Sequence, residues 1–223
     1  MREAGPSGSG ELLKSNTPRW SCVNRKAILI DIGGVLAPDS LGAPTAHWSN
    51  RLGISRAAFL AALFDGDDDH VLIGRTSEDS WWRTVGERLG VDAELVGAIR
   101  SDLASRGTWD EALVQSVRSL RGAAKTAIVS NAWPQMRTRL TDAGLLDLVD
   151  AIVLSCEVGC AKPDPRIYAI ALERVGAQPA DALFIDDTPE HVDAARSLGM
   201  TGHVHTSTEG TIVRIQDFLR LPE

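Results

Sequence analysis

The feature that most constrains this chain is a recurring short apolar run that ends in polar residues. Four runs are clear: Ala27-Ile28-Leu29-Ile30, Ala127-Ile128-Val129, Ala151-Ile152-Val153-Leu154 and Ala182-Leu183-Phe184-Ile185. A weaker one follows at Gly202-His203-Val204-His205. Runs this short with polar residues at their C-terminal ends read as buried parallel strands. Between them, residues 134–144, 165–175 and 189–198 carry apolar side chains at helical spacing. Each of these stretches stops at or near a glycine, Gly144, Gly176 or Gly199, the usual residue past a helix end. Strand and helix in alternation predict an α/β fold with a doubly wound parallel sheet.

The stretch from about 39 to 105 breaks that rhythm. It offers helices around 55–64, 76–89 and 92–105 but no convincing strand run. Ser55, Thr76 and Asp92 suit N-caps there, and Gly90 suits a stop. An all-helical insertion, a lid or cap at 39–105, accounts for it, with the core built from 25–38 and 106–223. Length agrees. The 223 residues exceed a usual domain of about 100–150 and fall short of two. Residues 1–24 are rich in Gly, Ser and Pro and lack an apolar signal core, so they read as a flexible N-terminal tail or a cloning remnant.

Composition narrows the partners. Charged residues make up 24% and hydrophobic residues 43%, an ordinary globular balance. The net charge of −7 is unfavourable for unspecific binding to nucleic acid or an anionic membrane, both of which want a basic face. No run approaches the roughly 18–20 apolar residues of a membrane span. Three cysteines, Cys22, Cys156 and Cys160, cannot all pair within the chain and fit a reducing compartment. A cytoplasmic location is the expectation. Cys156-x3-Cys160 has no companion pair at zinc spacing and reads as structural.

In open α/β sheets, ligands bind beyond the carboxyl ends of the strands. After the first run stands Asp31-Ile32-Gly33-Gly34-Val35-Leu36, and after the second Ser130-Asn131. Lys162-Pro163-Asp164-Pro165 lies beyond the third, and Asp186-Asp187 follows the fourth. Strand ends of one sheet edge would bring these groups to a single crevice. A carboxylate there can attack phosphorus and split one hard hydrolysis into two easier steps. Two close carboxylates repel each other and an incoming phosphate, and Mg²⁺ between them removes the repulsion. A lysine and a serine hydroxyl would hold the phosphoryl oxygens.

These four motifs, in this order, resemble the haloacid dehalogenase superfamily of phosphohydrolases over roughly residues 26–205. Asp31-x-x-Gly34-Val35-Leu36 is similar to the first motif and Ser130-Asn131 to the second. Lys162-Pro163-Asp164-Pro165-x-x-Tyr168 is similar to the third. Phe184-Ile185-Asp186-Asp187-x3-His191 with the helix behind it is similar to the fourth. The resemblance implies a Rossmann-like core and Asp31 as nucleophile. It implies Mg²⁺ held by Asp31, the backbone carbonyl of Gly33 and Asp186, with Asp187 behind them. Ser130, Asn131 and Lys162 would bind the phosphoryl group of a small phosphorylated metabolite, a sugar phosphate being one possibility. Oligomeric state is not legible.

One departure matters. Phosphatases of the family usually carry a second Asp two residues after the nucleophile, as general acid and base; here that residue is Gly33. Losing such a group typically costs about 10²–10⁴ in rate. Three accounts stay open. The leaving group needs little protonation, as an anomeric sugar oxygen or an acyl phosphate does; or Asp39, Asp187 or a cap residue supplies the proton; or the chain is a binding or regulatory relative with little turnover. Dehalogenation also uses an Asp nucleophile, but leaves the Asp186-Asp187 pair without a role.

Blander readings hold elsewhere. Asp65-Gly66-Asp67-Asp68-Asp69 has the alternate carboxylates of a calcium loop, but its glycine is misplaced and position twelve is Thr76, so a solvated cap loop is expected. His191 reads as a surface or packing residue. Asp187 is expected to orient a ligand or cap the helix that Pro189 opens. Adjacent Trp81 and Trp82 point about 100° apart on a helix, so only one can easily face the core; the crevice between insertion and core is the alternative place for the other, and packing is the expected role. Arg75 and Trp48 are further candidates for substrate contact.

Overall fold

In the computed structural model, residues 26–38, 41–64, 69–105 and 108–220 are described. Five parallel strands form one sheet: β1 (Ala27–Ile30), β2 (Lys125–Ser130), β3 (Ala151–Leu154), β4 (Ala182–Asp186) and β5 (Thr201–Val204). Their order across the sheet is β3-β2-β1-β4-β5. The aliphatic runs therefore form strands as expected, with β2 and β4 slightly longer than their apolar centres. In register, Ile30 lies beside Ile128 on one flank and Ile185 on the other.

The two-residue period of a strand sends alternate side chains to opposite faces. Ile28, Ile30, Ile128 and Ile185 pack on one face, against residues of α6 (Glu111–Ser119), α7 (Gln135–Asp142) and α11 (Thr208–Arg220). Leu29, Val129 and Phe184 pack on the other, against α9 (Pro165–Val175) and α10 (Pro189–Ser197). Both faces are covered, which is why the strands carry no polar alternation.

Among the described residues, five helices lie between β1 and α6: α1 (Gly42–Leu52), α2 (Arg56–Phe64), α3 (Asp69–Leu72), α4 (Glu78–Leu89) and α5 (Ala93–Ser105). They have their own apolar cluster, centred on Phe59, Leu63, Val85, Ile99, Trp48, Trp81 and Trp82. Ser55 and Asp92 accept from the amides of Ala58 and Leu95, and Gly90 stops α4 at φ +66. The cap of α4 is Ser77, not Thr76. Ser77 Oγ accepts from the Ser80 amide at 3.2 Å, while the Thr76 amide is tied back to the His70 carbonyl.

Trp81 and Trp82 both pack, as expected, although they point apart on the helix. Both are 3% exposed, because α4 is packed against α2 and α5 together and so has two covered faces. Trp81 Nε1 donates to the Leu63 carbonyl at 3.1 Å and Trp82 Nε1 to Glu78 at 3.2 Å. Trp48 is likewise internal, its Nε1 donating to Asp102 at 2.8 Å. Arg75 is exposed. The N-terminal tail, Cys22, Asp39 and most of the acidic run Asp65–Asp69 lie outside the described residues.

Two contacts seat the insertion on the core. Trp133, just beyond β2, places its ring 5.6 Å from Trp81 and 6.3 Å from Phe64. Gly74, at φ +70, runs so close to the backbone of Cys156 that a Cβ would lie 2.2 Å from its carbonyl oxygen. Gly74→Ala is therefore expected to destabilise the protein by about 2–3 kcal/mol, combining left-handed strain with a backbone clash. Chemical denaturation measures it, and a loss below about 0.5 kcal/mol contradicts the docking contact. Among the described residues, no helix is long and apolar enough to cross a membrane.

Candidate active site

Parallel strands release their chains at one edge, and the four motifs meet there. Asp31 leaves β1 with its amide bonded to the Ile185 carbonyl, which ties it beside the end of β4. Asp186 closes β4 and is wholly buried, Ser130 closes β2, and Lys162 is 4% exposed. The Lys162 ammonium lies 2.5 Å from Asp186 Oδ2 and 2.9 Å from Asp31 Oδ1. Three of the predicted groups thus form one buried charge cluster, and the Ser130 hydroxyl reaches the same Asp31 carboxylate.

Asp31 is held by charge more than by aligned hydrogen bonds. Its Oδ1 is buried without a hydrogen-bond partner, since the ammonium approaches it outside hydrogen-bonding angles. Burial pushes the Asp31 carboxyl above its ordinary range, Lys162 opposes the rise and Asp186 adds to it. Burial would raise Asp186 too, but the His191 contact, the Lys162 ammonium and the Thr188 amide together hold it below the ordinary range.

His191 is the residue that sequence reasoning undervalued. Its Nδ1 lies 3.1 and 3.2 Å from the two oxygens of Asp186. It sits in the first turn of α10, and the Thr188 amide donates to Asp186 Oδ1 at 2.9 Å. The start of that helix therefore grips the carboxylate from which it departs. Tyr168, on α9, donates to the His191 carbonyl at 2.9 Å. The sequence signal was its place in the fourth motif, five residues after Asp186.

Asn131 is placed but committed. Its Nδ2 donates to the Lys162 carbonyl at 2.9 Å and its Oδ1 accepts from the Lys162 amide at 2.7 Å. The side chain thus clamps the lysine loop and is not free to contact a phosphoryl group. Ser155, which opens α8 (Ser155–Val158) and which the sequence did not single out, does similar work: its buried hydroxyl accepts from the Ala132 amide at 2.9 Å.

Asp187 is exposed and does not cap α10, whose N-cap is Thr188. Its carboxylate lies over Gly34, where a Cβ would come within 2.0 Å of Oδ2. The glycine at φ +71 is what lets the loop after β1 pass beneath it. Gly33 bridges to Ala37 as that loop turns back.

Oxygens of Asp31, Asp186 and Asp187 lie within 4.8 Å of one another. Three carboxylates face one ammonium, and one buried carboxylate oxygen has no aligned donor. That donor set is hard, all oxygen and net negative, which suits Mg²⁺. Lys162 alone does not balance it.

A family model for haloacid dehalogenase-like hydrolases matches residues 25–199. Bifunctional epoxide hydrolase 2 of Sus scrofa is 29% identical over 195 residues, 78% of this chain but 35% of that protein. The chain thus spans about a third of that relative's length. A pyrimidine 5'-nucleotidase of Escherichia coli (strain K12) is 35% identical over 115 residues, 50% of this chain and 49% of that one. A haloacid dehalogenase family enzyme of Bacteroides thetaiotaomicron, solved with magnesium and inorganic phosphate, superposes with a TM-score of 0.66 at 20% identity, covering 82% and 94% of the two chains. The fold is shared as well by an L-2-haloacid dehalogenase of Xanthobacter autotrophicus, with a TM-score of 0.60 at 21% identity over 89% of this chain and 85% of that one. With its model spanning most of the sequence and its fold repeated in solved members, the chain belongs to the haloacid dehalogenase-like hydrolases.

Proposed function

We propose that this hydrolase is a Mg²⁺-dependent phosphatase of a small phosphorylated metabolite, working through an aspartyl-phosphate on Asp31. The observation that carries the reading is the Asp31–Lys162–Asp186 cluster at the strand ends. An Asp31 oxygen attacks phosphorus, and the bond from phosphorus to the leaving oxygen breaks. Water then attacks the aspartyl-phosphate, inorganic phosphate leaves and the carboxylate returns. Lys162 and Ser130 hold phosphoryl oxygens as charge redistributes. Asn131 keeps the lysine in place through its backbone clamp.

Asp31, the Gly33 carbonyl and Asp186 would hold the cation, with Asp187 close enough to join or orient them. Bound there, Mg²⁺ supplies the positive charge that lets phosphate approach three carboxylates. His191 fixes the Asp186 rotamer from behind. The insertion, residues 39–105, covers the crevice and selects the substrate.

A third carboxylate, Asp187, stands beside Asp31 and Asp186, an arrangement that suits a cation site and favours phosphate over halide chemistry. The test is steady-state hydrolysis of a phosphate panel that includes sugar 1-phosphates, with Asp31→Asn as control. Release of phosphate by the wild type and not by the variant supports the reading. Equal activity in both removes it, and Mg²⁺-independent halide release transfers the site to dehalogenation.

Gly33 adds a second expectation. With no carboxyl at that position, the leaving oxygen departs with little protonation, so rates should fall steeply as leaving-group pKa rises. A series of substituted phenyl phosphates measures the slope. A flat dependence, with phosphoryl transfer shown to limit the rate, would mean that another residue donates the proton.

A further inference from the structure

Among the described residues one arginine is buried, Arg139 on α7, at 9% exposed. It is also a cation without a counter-charge. We infer that Arg139, with Trp109 against it, forms an anion-binding site apart from the strand ends, and that the site takes a small oxyanion, a phosphate or a carboxylate.

More exposed arginines find carboxylates. Arg100 meets Glu78 and Asp79, Arg137 meets Glu157, and Arg196 meets Asp193. Among the described residues, Arg139 has no ion pair and no side-chain hydrogen bond; its guanidinium lies over the Trp109 ring, 5.8 Å from the centroid. Burial alone pushes it below the ordinary arginine range, and no carboxylate opposes the fall. Arg139 shares the covered face of α7 with Met136 and Leu140, and these two and Trp109 pack in the apolar cluster on the Ile30 side of the sheet. A cation held there without a partner is costly, and the ring face offsets only part of that cost. The five N–H donors of a guanidinium match carboxylate and phosphate oxygens. An oxyanion supplies both missing things, the charge and the acceptors.

The strand-end carboxylates do not fill this role, because Asp31 and Asp186 pair with Lys162. Trp109 directly precedes Asp110, whose amide donates to the Leu36 carbonyl at 2.9 Å and whose side chain caps α6. The site therefore lies where the chain returns from the insertion to the core, and it does not depend on the phosphatase reading.

Phosphate and acetate, each titrated into metal-stripped protein at constant ionic strength against sodium chloride, test the site. Without a divalent cation, the three strand-end carboxylates keep phosphate from the crevice. The wild type should show a saturable rise in Tm, about 3–5 °C at a tenfold excess over the dissociation constant. Saturation by either anion supports the site, and the one that saturates at the lower concentration names its ligand class. Arg139→Met fills most of the stem volume and should abolish the rise, with Arg139→Gln in its place if the methionine variant does not fold. An arginine that merely buries its stem and wets its head gives no saturable rise with either anion, which overturns the inference. An equal rise in the variant overturns it too, by placing the anion elsewhere.

Discussion

Asp31→Asn is expected to lower kcat by at least about 10³-fold, as loss of a covalent nucleophile does, without lowering the stability of the metal-free protein. The two halves have one cause. Asp31 is buried, and burial first and the Asp186 charge second raise its carboxyl pKa, against the pull of Lys162. A carboxyl whose folded pKa is raised binds its proton more tightly when folded. Its contribution to stability therefore falls as pH rises from the unfolded value, about 3.9, toward the raised folded value. Asparagine has the same shape and no such titration, and Lys162 keeps its 2.5 Å partner in Asp186. In chelator, wild type and variant should converge at about pH 4, and the variant should gain on the wild type as pH rises. Denaturant midpoints across that range measure the difference, and phosphate release measures the rate. A variant that stays active contradicts the nucleophile. One that loses stability steadily with rising pH contradicts the electrostatic account of the cluster.

Much of this architecture was legible because the information is local. Four-residue aliphatic runs such as Ala27–Ile30 cannot satisfy helical amphipathicity, and polar residues at their ends mark where the sheet edge lies. Asp31, Ser130, Lys162 and Asp186 each sit beyond such a run, so topology alone brings them together. What was not legible depends on partners distant in sequence. Asn131 clamps a backbone 31 residues away, and Ser155 holds Ala132 across 23. His191 becomes a partner of Asp186 only because α10 turns back over the end of β4. That Trp81 and Trp82 are both covered was illegible for the same reason. Helical geometry sets them about 100° apart, but whether the second face is open depends on α2 and α5, which pack on both sides of α4.

Lys162→Met should cost about 3–5 kcal/mol in the absence of divalent cations, the usual loss when one partner of a buried ion pair is removed. At this chain length that is a fall in Tm of roughly 10 °C. Methionine fills most of the stem volume and can still pack near the Phe184 ring, over which the ammonium now sits at 5.7 Å. The loss is therefore electrostatic and not steric: Asp31 and Asp186 remain buried with no facing ammonium. Activity should fall by about 10²–10³-fold, since the same charge holds phosphoryl oxygens. Mg²⁺ gives the discriminating result. Any cation that binds the folded state stabilises it by mass action, and in this variant it no longer competes with an ammonium for carboxylate oxygens. Mg²⁺ should accordingly raise the Tm of Lys162→Met by more than it raises that of the wild type. Equal shifts would place the cation away from the carboxylates that Lys162 bridges. No shift in either protein would remove Mg²⁺ from the site and leave Lys162 as the sole counter-charge to Asp31 and Asp186.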